Sequence, residues 1–203
     1  MIGNLYWAIR KFARLAVDIV NYNIFCMRVR SFCPHQKLRD IGAIVMVDLN
    51  MINQFVANEA LVGSVKNKIK EKKMIVNSDL KMVSEMDIII AYEDVFHGGF
   101  AWCKTAFYDR VASEIKKGKK KFGCISMDEF NRRLKEDEKH FSAIKYYGYK
   151  SQMELGSLKP WDEVQVVKCK DGSFAFIDGR HRLATARVLA VKSIPVLICG
   201  VEQ

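Results

Sequence analysis

Asp178, Gly179, Arg180, His181 and Arg182 stand in a row, setting a carboxylate, a bare backbone position, two guanidinium groups and an imidazole side by side. That set suits the handling of an anion. A glycine permits a sharp bend and lets a ligand approach the backbone closely. The apolar positions that follow, Leu183, Ala184, Ala186, Val188 and Leu189, predict a helix over residues 180–189. The free N–H groups of its first turn and the positive end of its dipole would then lie at the bend. Two arginines and a histidine oppose that dipole unless an anion sits there, and such local conflict is a mark of functional sites. Asp178 stands where it can cap the helix, orient His181 or hold a metal. The alternative is a carboxylate that only caps and basic residues that only face solvent.

The flanking elements follow from simple signals. Asp171-Gly172 is a two-residue hairpin signal between the β-rich runs 164–167 and 173–177. The bend at 178–179 ends the second strand. Ser193-Ile194-Pro195 stops the helix, and residues 196–198 read as a short buried strand. Upstream, Ser126 with Glu129 three residues on is a helix start, and the helix runs to Tyr147, ended by Gly148. Residues 108–117 form another helix, closed by Gly118. The basic turn 116–121 is read as solvated, with phosphate contact as its alternative. Residues 92–104 read as a loop around Gly98-Gly99. In it Glu93, Asp94 and His97 could supply an acid, a base or a metal ligand. Residues 41–47 and 88–90 are strand-like, and residues 50–73 read as a helix with a basic C-terminal end.

The motif Asp178-Gly179-Arg180-His181-Arg182-Leu183-Ala184, with Ile194-Pro195-Val196 after it, resembles the ParB/sulfiredoxin superfamily. In that superfamily a similar Gly-x-(His/Arg)-Arg turn at a helix start holds nucleotide phosphates. Members include CTP-binding ParB partition proteins, ATP-using sulfiredoxin and a free serine kinase whose motif reads Asp-Gly-His-His-Arg. This chain departs from the kinase at Arg180. Sulfiredoxin needs a cysteine at that same position, so its chemistry is not expected. ParB carries a helix-turn-helix region after this domain, and none is expected beyond Gln203. A looser likeness over residues 105–118, Gly123-Cys124 and 144–155 extends to uncharacterised prokaryotic ParB-like proteins, some of which accompany surface-glycan genes. The resemblance implies an α/β (α+β) fold with a small mixed sheet, ParB/sulfiredoxin-like, over residues 87–203. Residues 1–86 would form a mainly helical N-terminal extension.

Composition narrows the partners. Lysine and arginine number 33 against 23 acids, a formal charge of +10, which favours anionic partners without naming one. Half the residues are hydrophobic, enough for a packed core. The six cysteines show no C-x-x-C pair, which argues against a zinc site. Residues 2–22 have the pattern of an amphipathic helix with Arg10, Lys11 and Arg14 on it. Those charges interrupt the apolar run well short of the ~20 residues a membrane span needs. The helix could lie on an anionic membrane surface, pack on its own domain or meet a second copy. With no secretory signal visible, the expected compartment is the cytoplasm, with the inner face of the membrane as an alternative.

The leading functional expectation is a nucleotide-dependent phosphotransferase that uses ATP or another nucleoside triphosphate with Mg²⁺. Its acceptor would be a hydroxyl of a small molecule or glycan, lipid-linked or free. Gly179, Arg180, His181 and Arg182 would hold phosphate, with Arg180 and Arg182 neutralising developing charge. His181 would orient a phosphate or shuttle a proton, and Asp178 would bind Mg²⁺ or hold His181. Lys150 and Gln152, within the resembling stretch, would line the pocket. The acceptor hydroxyl needs a positioning group or base, for which Glu154, Asp162, Glu163, Glu93 and Asp94 are candidates. The alternative is a ParB-like nucleotide- or DNA-binding module without catalysis. A third reading, a nuclease, lacks a convincing metal-binding carboxylate set.

Overall fold

The computed structural model describes residues 42–56, 80–157 and 159–201, with Ala13, Ala16, Val17 and Val20 as isolated helical positions. Apart from those four positions, the amphipathic reading of residues 2–22 lies outside the described residues. So does the greater part of the helix expected over residues 50–73.

Six strands make one mixed sheet: β1 (Ile44–Asp48), β2 (Gln54–Val56), β3 (Leu80–Met82), β4 (Val164–Lys168), β5 (Phe174–Asp178) and β6 (Ser193–Val201). Their order is β1-β6-β4-β5-β2-β3. β4 runs antiparallel to β5 and parallel to β6, and its first four residues are buried, as suits a strand covered on both faces. The β4–β5 hairpin closes at the Asp171-Gly172 signal. There Cys169 N–H donates to the Ser173 carbonyl at 2.8 Å and Gly172 takes φ +87°. Both neighbours of β4 carry an irregularity. Gln165 pairs Asp178 and Val166 pairs Phe176, which leaves Ile177 extra on β5. Val166 pairs Ile198 and Val167 pairs Gly200, which leaves Cys199 extra on β6.

Four helices occur among the described residues: α1 (Asp87–Phe96), α2 (Ala106–Lys116), α3 (Met127–Tyr147) and α4 (Arg180–Val188). All four contribute to the main core on one side of the sheet, through residues such as Ile88, Phe107, Phe130 and Leu183. A smaller buried cluster of Val56, Val167, Cys169, Ala175 and Ile177 lies apart from it. The caps follow the sequence signals. Ser126 Oγ accepts from Glu129 N–H at 3.2 Å, and the Glu129 carboxylate returns to Ile125 N–H at 2.8 Å. Gly148 ends α3 at φ +82°.

Three local readings are corrected. Residues 88–90, three isoleucines read as strand, lie inside α1. Ile88, Ile89, Ala91 and Tyr92 are buried while Ile90 is 45% exposed, a helical phase that packing imposes over the β-branched preference. Tyr92, Glu93 and Asp94 belong to the same helix rather than to a loop. Residues 54–56, read as helix, form β2 because they pair on one side with β5 and on the other with β3. The sheet also takes three of its strands from residues 44–82, on the far side of the domain boundary expected at residue 87.

Candidate functional site

The bend between β5 and α4 is built around Gly179, which takes the left-handed conformation (φ +90°, ψ 30°). An added Cβ would stand 3.0 Å from Val164 Cα and 3.2 Å from the Glu163 carbonyl oxygen. The close approach of β4 and the positive φ together require glycine here. Asp178 Oδ1 accepts from Gly179 N–H at 2.8 Å, so this carboxylate stabilises the bend itself.

The bend opens on a cavity of about 700 Å³. Its lining is strongly basic: Arg180 and Arg182 from α4, Arg110 from α2, Arg133 from α3, and Lys120 and Lys121 from the turn between those helices. Asp162, Glu163 and Asp178 supply its acids, beside Trp161. Arg110 is engaged bidentately with Asp87, with Nη2 to Oδ1 at 3.1 Å. The turn expected to be solvated therefore places two of its lysines on the cavity. Lys121 and Cys124 exchange both backbone hydrogen bonds, at 3.0 and 2.8 Å. Phe122 and Gly123 between them both have positive φ, +52° and +79°. This is the geometry of a type I′ turn, and Phe122 is an uncommon occupant of it.

No family model, curated protein or solved structure matches this chain.

Each of the three basic residues on α4 has a distinct setting. The Arg180 guanidinium lies over the Phe122 ring, 5.2 Å from its centroid. Arg182 is tied into the fold: Nη2 is 3.1 Å from Glu163 Oε2 and donates to the Lys150 carbonyl at 2.8 Å, while Nε donates to Tyr149 Oη at 3.1 Å. His181 Nδ1 shares a hydrogen bond with Tyr92 Oη at 3.1 Å and lies 2.9 Å from Asp137 Oδ2, which forms no hydrogen bond of its own. Its Nε2 is buried and forms no hydrogen bond. Phe122 meets the imidazole edge-on, with centroids 5.4 Å apart and an interplanar angle of 87°.

Burial governs the shifts of Glu163 and Tyr92. The Glu163 side chain is fully buried, which pushes its carboxyl above the ordinary range, although the Gln152 N–H and Arg182 act the other way. Burial, reinforced by the charge of Asp137, raises the Tyr92 phenol far above its usual value, so it remains a protonated hydroxyl.

The structure thus brings Asp178, Gly179, Arg180, His181 and Arg182 together on one cavity, with Asp162 and Glu163. Glu154, Lys150 and Gln152 are not among its lining residues. Glu154 accepts from Ser151 N–H and Oγ at 2.7 and 2.8 Å and is exposed. Lys150 offers its carbonyl to Arg182, and Gln152 offers its N–H to Glu163 at 2.5 Å. Glu93, Asp94 and His97 do not line it either. Asp137 and Tyr92 were missed by the sequence reading. A signal existed for Asp137: it shares the buried stripe of α3 with Phe130, Leu134 and Phe141, at spacings of four, three and four. An acid on an apolar stripe needs a partner: His181 Nδ1 is 2.9 Å from its Oδ2, and Arg133 Nε, one turn earlier on α3, is 4.0 Å from its Oδ1.

Proposed function

We propose that this chain is a nucleotide-dependent phosphotransferase, with a ParB/sulfiredoxin-like arrangement around the β5–α4 bend. Its acceptor would be a hydroxyl of a small molecule or glycan. One observation carries the reading: a glycine bend and a helix N-terminus open on a cavity lined by cations from three helices and a turn. A triphosphate is the ligand class that uses such a wall, because its charge is spread along several oxygens. Gly179 and the N–H groups after it would take one phosphoryl group, and Arg180, Lys120 and Lys121 would meet the others. Arg182 serves less as a direct ligand than as the strut that fixes α4 against residues 149–152.

The residues fit a magnesium–nucleotide complex. Asp178 keeps one carboxylate oxygen beyond its bond to Gly179, and Asp162 lines the same cavity. Mg²⁺ bound with a nucleotide needs one or two carboxylates, the rest of its shell being phosphate and water. Among the described residues no group of three metal-binding side chains is present, which that mode of binding does not require. The ion would shield phosphate charge, and Asp178 would hold it beside the bend.

Thermal shift with ATP, CTP or inorganic triphosphate, each with Mg²⁺, tests the reading, since a ligand of the native state raises the midpoint. The expected result is a rise that Arg180→Ala and Lys121→Ala each reduce. No shift with any triphosphate would sink it. One feature favours a second reading, binding without transfer: Arg182 is neutralised by Glu163 and the ring nitrogens of His181 are sealed. Binding of nucleotide with no consumption under any acceptor would select that alternative.

A further inference from the structure

The proposed transfer needs a group that accepts the proton of the acceptor hydroxyl, and the carboxylates first considered for it do not converge on one. We propose that His181 is that acceptor, that Asp137 is its positioning residue, and that Phe122 is a cover which must move before Nε2 can act. This inference rests on the phosphotransferase reading and adds a role for three side chains.

Asp137 is 4% exposed on the inner face of α3, yet it is acidic. Its Oδ2 lies 2.9 Å from His181 Nδ1, outside hydrogen-bond geometry, and its Oδ1 is 4.0 Å from Arg133 Nε. A bare nitrogen lone pair that close to a carboxylate would be repelled, so the imidazole hydrogen is assigned to Nδ1, which leaves the Nε2 lone pair to take a proton. Tyr92, 3.1 Å from Nδ1, flanks the same nitrogen and fixes the ring plane. Nε2 has no protein partner and no solvent contact. A buried acceptor left unused carries an energetic penalty, and a functional role is one of the few reasons to keep it.

His181 and Phe122 both line the cavity, and the Phe122 ring stands edge-on to the imidazole at 5.4 Å. Phe122 sits in a left-handed conformation at φ +52°, which is unfavourable for a residue other than glycine. The turn is held by its two backbone hydrogen bonds and by the Arg180 guanidinium over the ring. A phosphoryl group that draws Arg180 to itself removes that last contact. Arrival of the charged substrate and release of the cover are thereby coupled through one side chain. In the uncovered state the hydroxyl hydrogen passes to Nε2 as its oxygen bonds to the γ-phosphorus. The bond from that phosphorus to the bridging oxygen breaks, and its electron pair leaves on the nucleoside diphosphate.

Three measurements on the full chain decide the matter. Imidazole nitrogen NMR should find the His181 hydrogen on Nδ1, and Asp137→Asn should move it or mix the tautomers. A hydrogen on Nε2 in the wild type overturns the assignment. Carbethoxylation by diethyl pyrocarbonate, read at His181 by peptide mass, should be slow in the wild type and severalfold faster in Phe122→Gly. That variant removes the ring and relieves the positive φ, so the fold should survive. Equal rates overturn the cover. Mg–ATP turnover, with water standing for the acceptor hydroxyl, should fall by about 10²–10⁴-fold in His181→Gln with KM unchanged. Asp137→Asn should fall with it, and Asp137→Glu should recover part of the loss. Turnover of the wild type that is indifferent to His181 overturns the role. Failure of the parent reading looks different, because the wild type would then show no triphosphate-dependent thermal shift, or a shift with no turnover under any acceptor.

Discussion

At the scale of single residues, Arg182 and Glu163 show how a motif residue can serve the fold before it serves a ligand. Glu163 is fully buried, and Arg182 is its charge partner. Removing one member of a buried pair strands the other, at a typical loss of about 3–5 kcal/mol. Arg182→Ala should therefore lower stability by roughly that amount in urea titration, with or without nucleotide. A loss confined to nucleotide affinity would contradict the strut role. Glu163 adds a pH dependence. Its raised carboxyl means that the native state keeps a proton which the unfolded chain has released. The stabilisation from that proton is complete below the ordinary glutamate value, about 4.3. It is lost as pH rises through the raised native value. Glu163→Gln does not titrate, so its stability curve should lack that descent, as urea midpoints across the window would reveal. Gly179→Ala would put Cβ at 3.0 Å from the Val164 backbone at a φ of +90°, and should cost on the order of 2 kcal/mol or more.

At the scale of elements, caps and struts decide where the site stands. Ser126→Ala removes the oxygen that accepts from Glu129 N–H and should cost about 1 kcal/mol, measurable by denaturant midpoint. Arg187, at the far end of α4, donates to the carbonyls of Leu49 and Ile52 and so ties the helix to the β1–β2 connection. The elements nearest the bend were legible in the sequence because each has a local cause. Asp-Gly makes the hairpin, Ser126 and Glu129 start α3, and Gly148 and Gly118 stop helices. What was illegible had non-local causes. The run of isoleucines at 88–90 lies in a helix whose buried face packs with α4 into the core. β2 exists only because β5 and β3 flank it. The cavity wall was illegible for the same reason. Nothing in residues 116–121 taken alone tells solvent from a site, since the Phe122-Gly123 turn and the packing of α2 and α3 aim two of the lysines. Asp137 was legible in principle, as a charge on an apolar stripe, but its meaning depended on His181 across the core.

At the scale of the whole molecule, one sheet joins both ends of the described chain. β1 pairs β6, β2 pairs β5, and Val47, Leu49 and Ile52 belong to the same core as Leu183 and Ile194. A fragment of residues 87–203 would lose β1, β2 and β3 and expose that core surface. It should fail to give a cooperative unfolding transition, and dispersed amide NMR signals from the fragment would refute this. No helix among the described residues is long and apolar enough to cross a membrane. The charge of +10 is carried partly into the cavity, so triphosphate affinity should weaken as salt rises.

The extra residues Ile177 and Cys199 flank β4 at nearly the same level, on opposite neighbours. A relative with regular strands would be one residue shorter at each place. Aligning the two sequences correctly would then call for a single-position gap at Ile177 and another at Cys199.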